Sequence, residues 1–171
     1  MKNKIKFFVL IAFVFAAFTV SAQTKTIKLG HINTQELLAL MPEFKEAQNK
    51  LTQQQQEMEK QMADLQAQYQ KLVKEYTEGE KTFTEMARVA KEQEIQSVME
   101  RIRNFEAFAQ EALRKTQDEL FTPILTKARN AIKAVGDENG FTYIFDAAGL
   151  LYAAPTSEDI LPLVKKKLNI Q

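Results

Sequence analysis

The sequence predicts an α+β chain that is mostly α, with a long antiparallel helical hairpin, or tentacle, on a small β body that closes by oligomerisation. Three observations carry this. The stretch from Gln35 to Ala134 is dominated by strong helix formers and holds few Gly or Pro. One segment rich in Gly and Thr, "TEGEKTFTEM", interrupts it near its middle. Short runs of strand-forming residues, "TIKLGHIN" and "FTYIFDAAGLLYAAP", stand at either end of it.

Taken in order, residues 1–22 read as an export signal. "MKNKIK" is a basic start and "FFVLIAFVFAAFTV" an apolar run, too short for the roughly 20 residues of a spanning helix. "VSA" then offers small residues, and cleavage is expected between Ala22 and Gln23. Intact mass of the protein recovered from the cell envelope checks this, and a retained Met1 would contradict it. Removing the segment's three lysines takes the formal net charge from +1 to −2. Such a near-neutral chain presents no large field for nucleic acid or acidic lipid. There is no cysteine, hence no disulfide, thiolate metal site or lipidation site. An exported, cysteine-free chain fits the periplasm.

Thr26–Asn33 reads as a short strand. Residues 23–41 then form the first part of the body, and 42–123 the hairpin, with its tip at about 77–86. Within the outgoing arm Leu37, Met41, Phe44, Gln48, Leu51 and Gln55 begin a series that runs on to Tyr76 by alternate steps of four and three. That is a narrow coiled-coil seam, polar at Gln48 and Gln55 and weakest there. Folding the arms about Lys81–Thr82 sets Met58 beside Phe105, Met62 beside Ile102 and Phe44 beside Leu120. It also sets Pro42 level with Pro123. Proline inside a helix kinks it, so these two mark a hinge where the arm leaves the body.

Residues 124–171 complete the body. Gly140 is the expected helix stop, and Thr142–Asp146 and Leu150–Ala153 the strands of a hairpin turning at Ala147–Gly149. Asp159 caps a last short helix, with Pro162 in its first turn. Three short strands without disulfide or metal are too little for an independent core, which makes a homo-oligomer the expected state.

"IKLGHINTQELLALMPEF" before the hairpin, "NGFTYIFDAAGLLYAAP" after it and the basic "LVKKKL" resemble the Skp (OmpH-like) periplasmic chaperones, across essentially the whole mature chain. The resemblance implies a homotrimer whose tentacles surround a cavity, where unfolded outer-membrane proteins are held and kept from aggregating. Best-known members of that family carry strongly basic tips. Here Lys71–Glu94 holds five basic and six acidic residues, which gives no patch for membrane contact.

A holdase needs weak, distributed apolar contacts on arms that stay soluble when empty. The glutamine-rich faces supply solubility. Val73, Met86, Val89 and Phe108 lie off the seam or at the tip and are the candidate client contacts, while Met41, Met58 and Met62 read as seam filling. His31 is the only histidine and reads as an ordinary strand residue of the body, and no Ser–His, Cys–His or histidine metal set is expected. No Gly-rich phosphate loop occurs. Neither enzymatic activity nor a cofactor is expected. The competing reading is a structural coiled-coil spacer or adaptor of the envelope with one folded partner, which light scattering of a diluted, denatured client separates from a chaperone.

Overall fold

The computed structural model describes residues 27–154 and 157–170. The expected signal segment and the Ala22–Gln23 cleavage site lie outside them. Strand β1 (Leu29–Ile32) leads through Asn33 into helix α1 (Thr34–Leu40), whose first turn is capped by the Asn33 side chain accepting the Glu36 N–H. Helix α2 (Pro42–Gly79) is the outgoing arm and α3 (Glu85–Asn139) the returning one. Strand β2 (Tyr143–Asp146), a 3₁₀ turn (Ala147–Gly149), strand β3 (Glu158–Asp159) and helix α4 (Leu161–Leu168) complete the chain.

The stop signals act where composition placed them. Gly140 ends α3 at φ 70°, in the left-handed region that glycine enters without cost, and its N–H reaches the Gly136 carbonyl. The tip narrows to residues 80–84. There the Thr82 N–H and hydroxyl both donate to the Gly79 carbonyl at 2.8 Å, and Thr84 caps α3 by accepting the Ala87 N–H. At the other end the Asp159 carboxylate accepts the Leu161 N–H at 2.9 Å. Pro162 then sits in the first turn of α4, as expected, although the cap position itself is Ile160.

One side-chain expectation is corrected, and two about secondary structure. A Ser–His contact does form, with His31 Nδ1 3.0 Å from the Ser157 hydroxyl oxygen, because β3 brings Ser157 alongside β1. The segments 142–146 and 150–153 do not form a hairpin. Only the first is a strand, and the sheet is parallel throughout, in the order β2–β1–β3. Leu29 to Ile32 pair with Tyr143 to Asp146, while Gly30 and His31 pair with Glu158 and Asp159. The reason lies at Asp146. Its carboxylate accepts the Ala148 N–H at 3.0 Å and a bond from the Thr34 hydroxyl. The chain is thereby turned into a 3₁₀ bend instead of back along β2. Pro42, secondly, does not lie inside a helix. It is the first residue of α2, after Met41 in extended conformation, where its missing N–H costs little. Pro123 alone is helix-internal.

The core sits where these elements meet. Ile32, Leu37, Met41, Val135, Ile160 and Val164 are almost wholly buried, with Ile124, Ala128, Ala131 and Leu161 beside them. Gly30 is required by this packing. A Cβ there would lie 2.8 Å from the Phe141 ring and 3.1 Å from Ile160 Cγ2. Lys28 ties the same corner together, its ammonium 4.0 Å over the Phe141 ring and 3.1 Å from Glu158.

The arms pack on one another through the expected seam, with one exception. Every outgoing seam position from Leu37 to Tyr76 is buried or half-buried except Gln48 and Gln55, which are exposed. Ala47 is buried and Gln54 half-buried in their place. Cross-arm pairs confirm the antiparallel register: Phe44 with Phe121, Gln68 with Arg101, Glu75 with Lys91 and Tyr76 with Glu92. Each partner lies slightly further along α3 than equal rise from Lys81–Thr82 requires. Phe44 in particular meets the Phe121 ring edge-on at 5.2 Å.

The Asp146 carboxylate gives the body a pH dependence. The Thr34 hydroxyl chiefly, and then the Ala148 N–H, hold its pKa below the ordinary aspartate value. A carboxylate depressed in the folded state stabilises it fully above the unfolded-state pKa, and loses that contribution as pH falls through the folded value. Stability should therefore drop below about pH 4. Asp146→Asn keeps the acceptor for Ala148 but cannot titrate, so its urea midpoint should fall less between pH 6 and pH 2.5. Equal acid sensitivity in both proteins would contradict this.

Candidate binding surface

The arms carry short apolar spots on a polar surface. Met86 is 84% exposed in the first turn of α3, and Val89, three residues on, shares its face. Phe108 is 62% exposed and lies about 28 Å further along the same helix, from a rise of 1.5 Å per residue. It packs on Phe105 with ring centroids 6.2 Å apart, at the rim of an open recess floored by Leu65 and edged by Gln68 and Arg101. A neighbouring recess runs along Met58, Met62, Phe105, Ala109 and Leu113. Val73 is half-buried on α2 and offers less surface than the other three. The four candidates therefore form separate patches and no single pocket.

Much of the charge near the tip is paired locally. Lys71 and Lys74 pair with Glu75 and Glu78, Arg88 with Glu85, and Lys91 with both Glu75 and Glu94. Tyr76 donates to Glu92 at 2.6 Å, and that carboxylate holds the phenol pKa above its ordinary value. The tip thus presents no basic patch, as its composition indicated. Farther down, Arg114 binds Glu111 and Asp118 on one face of α3. Exposed pairs of this kind contribute little stability. Among the described residues no group of three or more His, Asp or Glu side chains is placed to hold a metal, and no helix is long and apolar enough to cross a membrane.

A second apolar surface lies on the body, and the sequence reading missed it. Leu29 of β1 and Tyr143 and Phe145 of β2 point away from the core, all exposed, with the two β2 rings 6.2 Å apart. Ile27 stands beside the start of β1, and Leu151 and Tyr152 follow the 3₁₀ turn with almost no contact of their own. The signal was present in "YIFD". Tyr143 and Phe145 alternate with Ile144, so β2 is apolar on both faces, the pattern of a strand covered on both sides.

The root of the arm is pinned at one level by Phe44 against Phe121 and by an ion pair between Glu43 and Lys127. Lys127 is the chief reason that Glu43 has a pKa below the ordinary glutamate value. Pro123 lies between these contacts. One turn past it, the Thr126 hydroxyl donates to the Thr122 carbonyl at 2.8 Å, a bond of the type that bends helices.

Comparison with known proteins bears on this architecture. The OmpH family, outer membrane protein (OmpH-like), matches residues 28–168. A Caulobacter crescentus CB15 protein, a candidate outer membrane chaperone (OmpH-like), has a similar structure with a TM-score of 0.70. The likeness covers 84% of each chain, at 13% sequence identity. At that identity it speaks to the fold alone. No match is found among curated proteins.

Proposed function

We propose that this chain, which belongs to the OmpH-like outer membrane protein family, is an exported periplasmic holdase that keeps unfolded outer-membrane proteins from aggregating. Membership of that family supports a chaperone role. The observation that carries the finer reading is the arm itself. Its apolar side chains are spread over separate patches, at Met86 with Val89 and at Phe108 with Phe105, on helices whose surface is otherwise polar. Weak contacts at many points suit partners of varied sequence, and a dedicated partner would be served by one contiguous site.

A cavity needs more than one pair of arms, and the working unit is a homotrimer. The exposed Leu29, Tyr143 and Phe145 support assembly through the body. So does the segment from Leu150 to Ala154, which has strand-like residues but no strand partner among the described residues. Pairing with another copy would cover the apolar face and supply that partner.

Two measurements test this. Multi-angle light scattering should give a trimer at micromolar concentration, and a stable folded monomer would overturn the assembly. Light scattering of a denatured outer-membrane protein diluted into buffer should be suppressed by the chain. If aggregation is unchanged at several-fold excess, the arms serve as a spacer or adaptor instead.

A further inference from the structure

The five methionines among the described residues differ sharply in exposure. Met41 is 1% exposed in the body core, Met58 and Met62 are half-buried in the seam, and Met99 is 39% exposed. Met86 stands 84% in solvent at the arm's tip. We propose that Met86 is an oxidation site, at which a hypohalous acid or a peroxide converts the thioether to the sulfoxide and weakens the tip as a client contact.

The chemistry needs only access. A sulfur lone pair attacks the chlorine of hypochlorous acid as hydroxide leaves, and water then displaces chloride from the chlorosulfonium and sheds its protons, which forms the S–O bond. Sulfur loses two electrons, and on balance chloride and one proton leave. Rate follows exposure of the sulfur, which ranks Met86 first and Met41 last. The consequences differ by position as well. At Met41 a sulfoxide would force a polar oxygen into the core, at the cost of the body. Met86 is the second residue of α3, has its side chain in water, and can take the oxygen with the fold intact. What it loses is apolar character beside Val89, on a patch that has nothing else large and exposed in its first turn.

The functional half of this inference rests on the holdase reading, and the chemical half does not. Purified full-length protein is titrated with dilute hypochlorite, digested and mapped by peptide mass. Met86 sulfoxide should appear first, then Met99, with Met41, Met58 and Met62 last, and far-UV circular dichroism should be unchanged when Met86 alone is modified. Client affinity at that stage should be about two- to tenfold weaker, the loss expected for one soft thioether contact. Met86→Leu, whatever its affinity before treatment, should keep that affinity after it, because leucine carries no thioether. Oxidation of Met58 or Met62 as fast as Met86 would overturn the site. Equal loss of client affinity in treated Met86→Leu would overturn its role. Untreated protein that suppresses no aggregation would overturn the holdase reading while the peptide map still decided the modification.

Discussion

Leu37→Ala is expected to cost about 2–5 kcal/mol, the range for deleting a buried leucine side chain without repacking. Leu37 is 0% exposed and lies in α1, a helix of seven residues that is too short to persist by itself. Its side chain is the means by which α1 is held to β1, α3 and α4. Ile32, Val135, Ile160 and Val164 surround the same core, and a chain without cysteine has no disulfide to back them up. A loss of this size is a large fraction of the roughly 5–15 kcal/mol that stabilises an ordinary domain. The urea midpoint should fall accordingly, with body amides exchanging fastest. Leu125→Ala removes the same atoms from an exposed site and should cost under about 1 kcal/mol. Both are measured at one protein concentration, because assembly shifts apparent stability. A Leu37→Ala protein within 1 kcal/mol of its parent would mean that the body is not held by this core.

Pro123→Ala should stiffen the root of the arm. Proline in a helix interior is about 3 kcal/mol worse than alanine, because it removes a hydrogen bond and its ring crowds the preceding turn. Here the carbonyl deprived of its donor is that of Glu119, between the Phe44–Phe121 contact and the arm above it. Local backbone adjustment around Pro123 offsets part of that cost, so a stabilisation of about 1–3 kcal/mol is expected. Amides over residues 116–127 should exchange more slowly. Pro42→Ala is the contrast, since Pro42 opens α2 and its substitution should change stability by under about 1 kcal/mol. The hinge that the two prolines suggest thus becomes a proposal about Pro123 alone as the bending point, with Pro42 marking the α1–α2 break. If the arms must splay to admit a bulky client, Pro123→Ala should slow uptake of large clients and spare small ones. Unchanged exchange over residues 116–127 would remove the hinge. Slower exchange with unchanged uptake would separate bending from capture.

The arms were legible in the sequence because their determinants are local. Helix formers, a three-and-four apolar step and a Gly–Thr interruption act over one or two turns. The exposed residues off the seam were legible for the same reason. Met86, Val89 and Phe108 fall off the apolar series and are exposed. Val73 satisfies that rule equally and is half-buried, because its exposure depends on how the facing arm lies across it. Gln48 and Gln55 failed in the same way. Phe44, Leu51 and Met58 admit an intervening seam residue on either side, and only the position of α3 selects Ala47 and Gln54.

Sequence by itself determined the helical hairpin, its turn, the Gly140 stop and the Asp159 bond to α4, since each is decided by neighbours within a few residues. It also determined that the charges of the tip cancel. Tertiary structure decided the sheet. "FTYIFDAAGLLYAAP" has the composition of a hairpin, but its partner is β1, brought alongside only after the chain has run out along α2 and back along α3. The bond from Thr34 to Asp146 joins residues 112 apart in the chain, and with the Ala148 N–H it turns the chain away from an antiparallel return. No local pattern encodes such a contact. Strand pairing is settled by which edge is available where the chain arrives, and a hairpin of this length fixes that only once its two arms have packed.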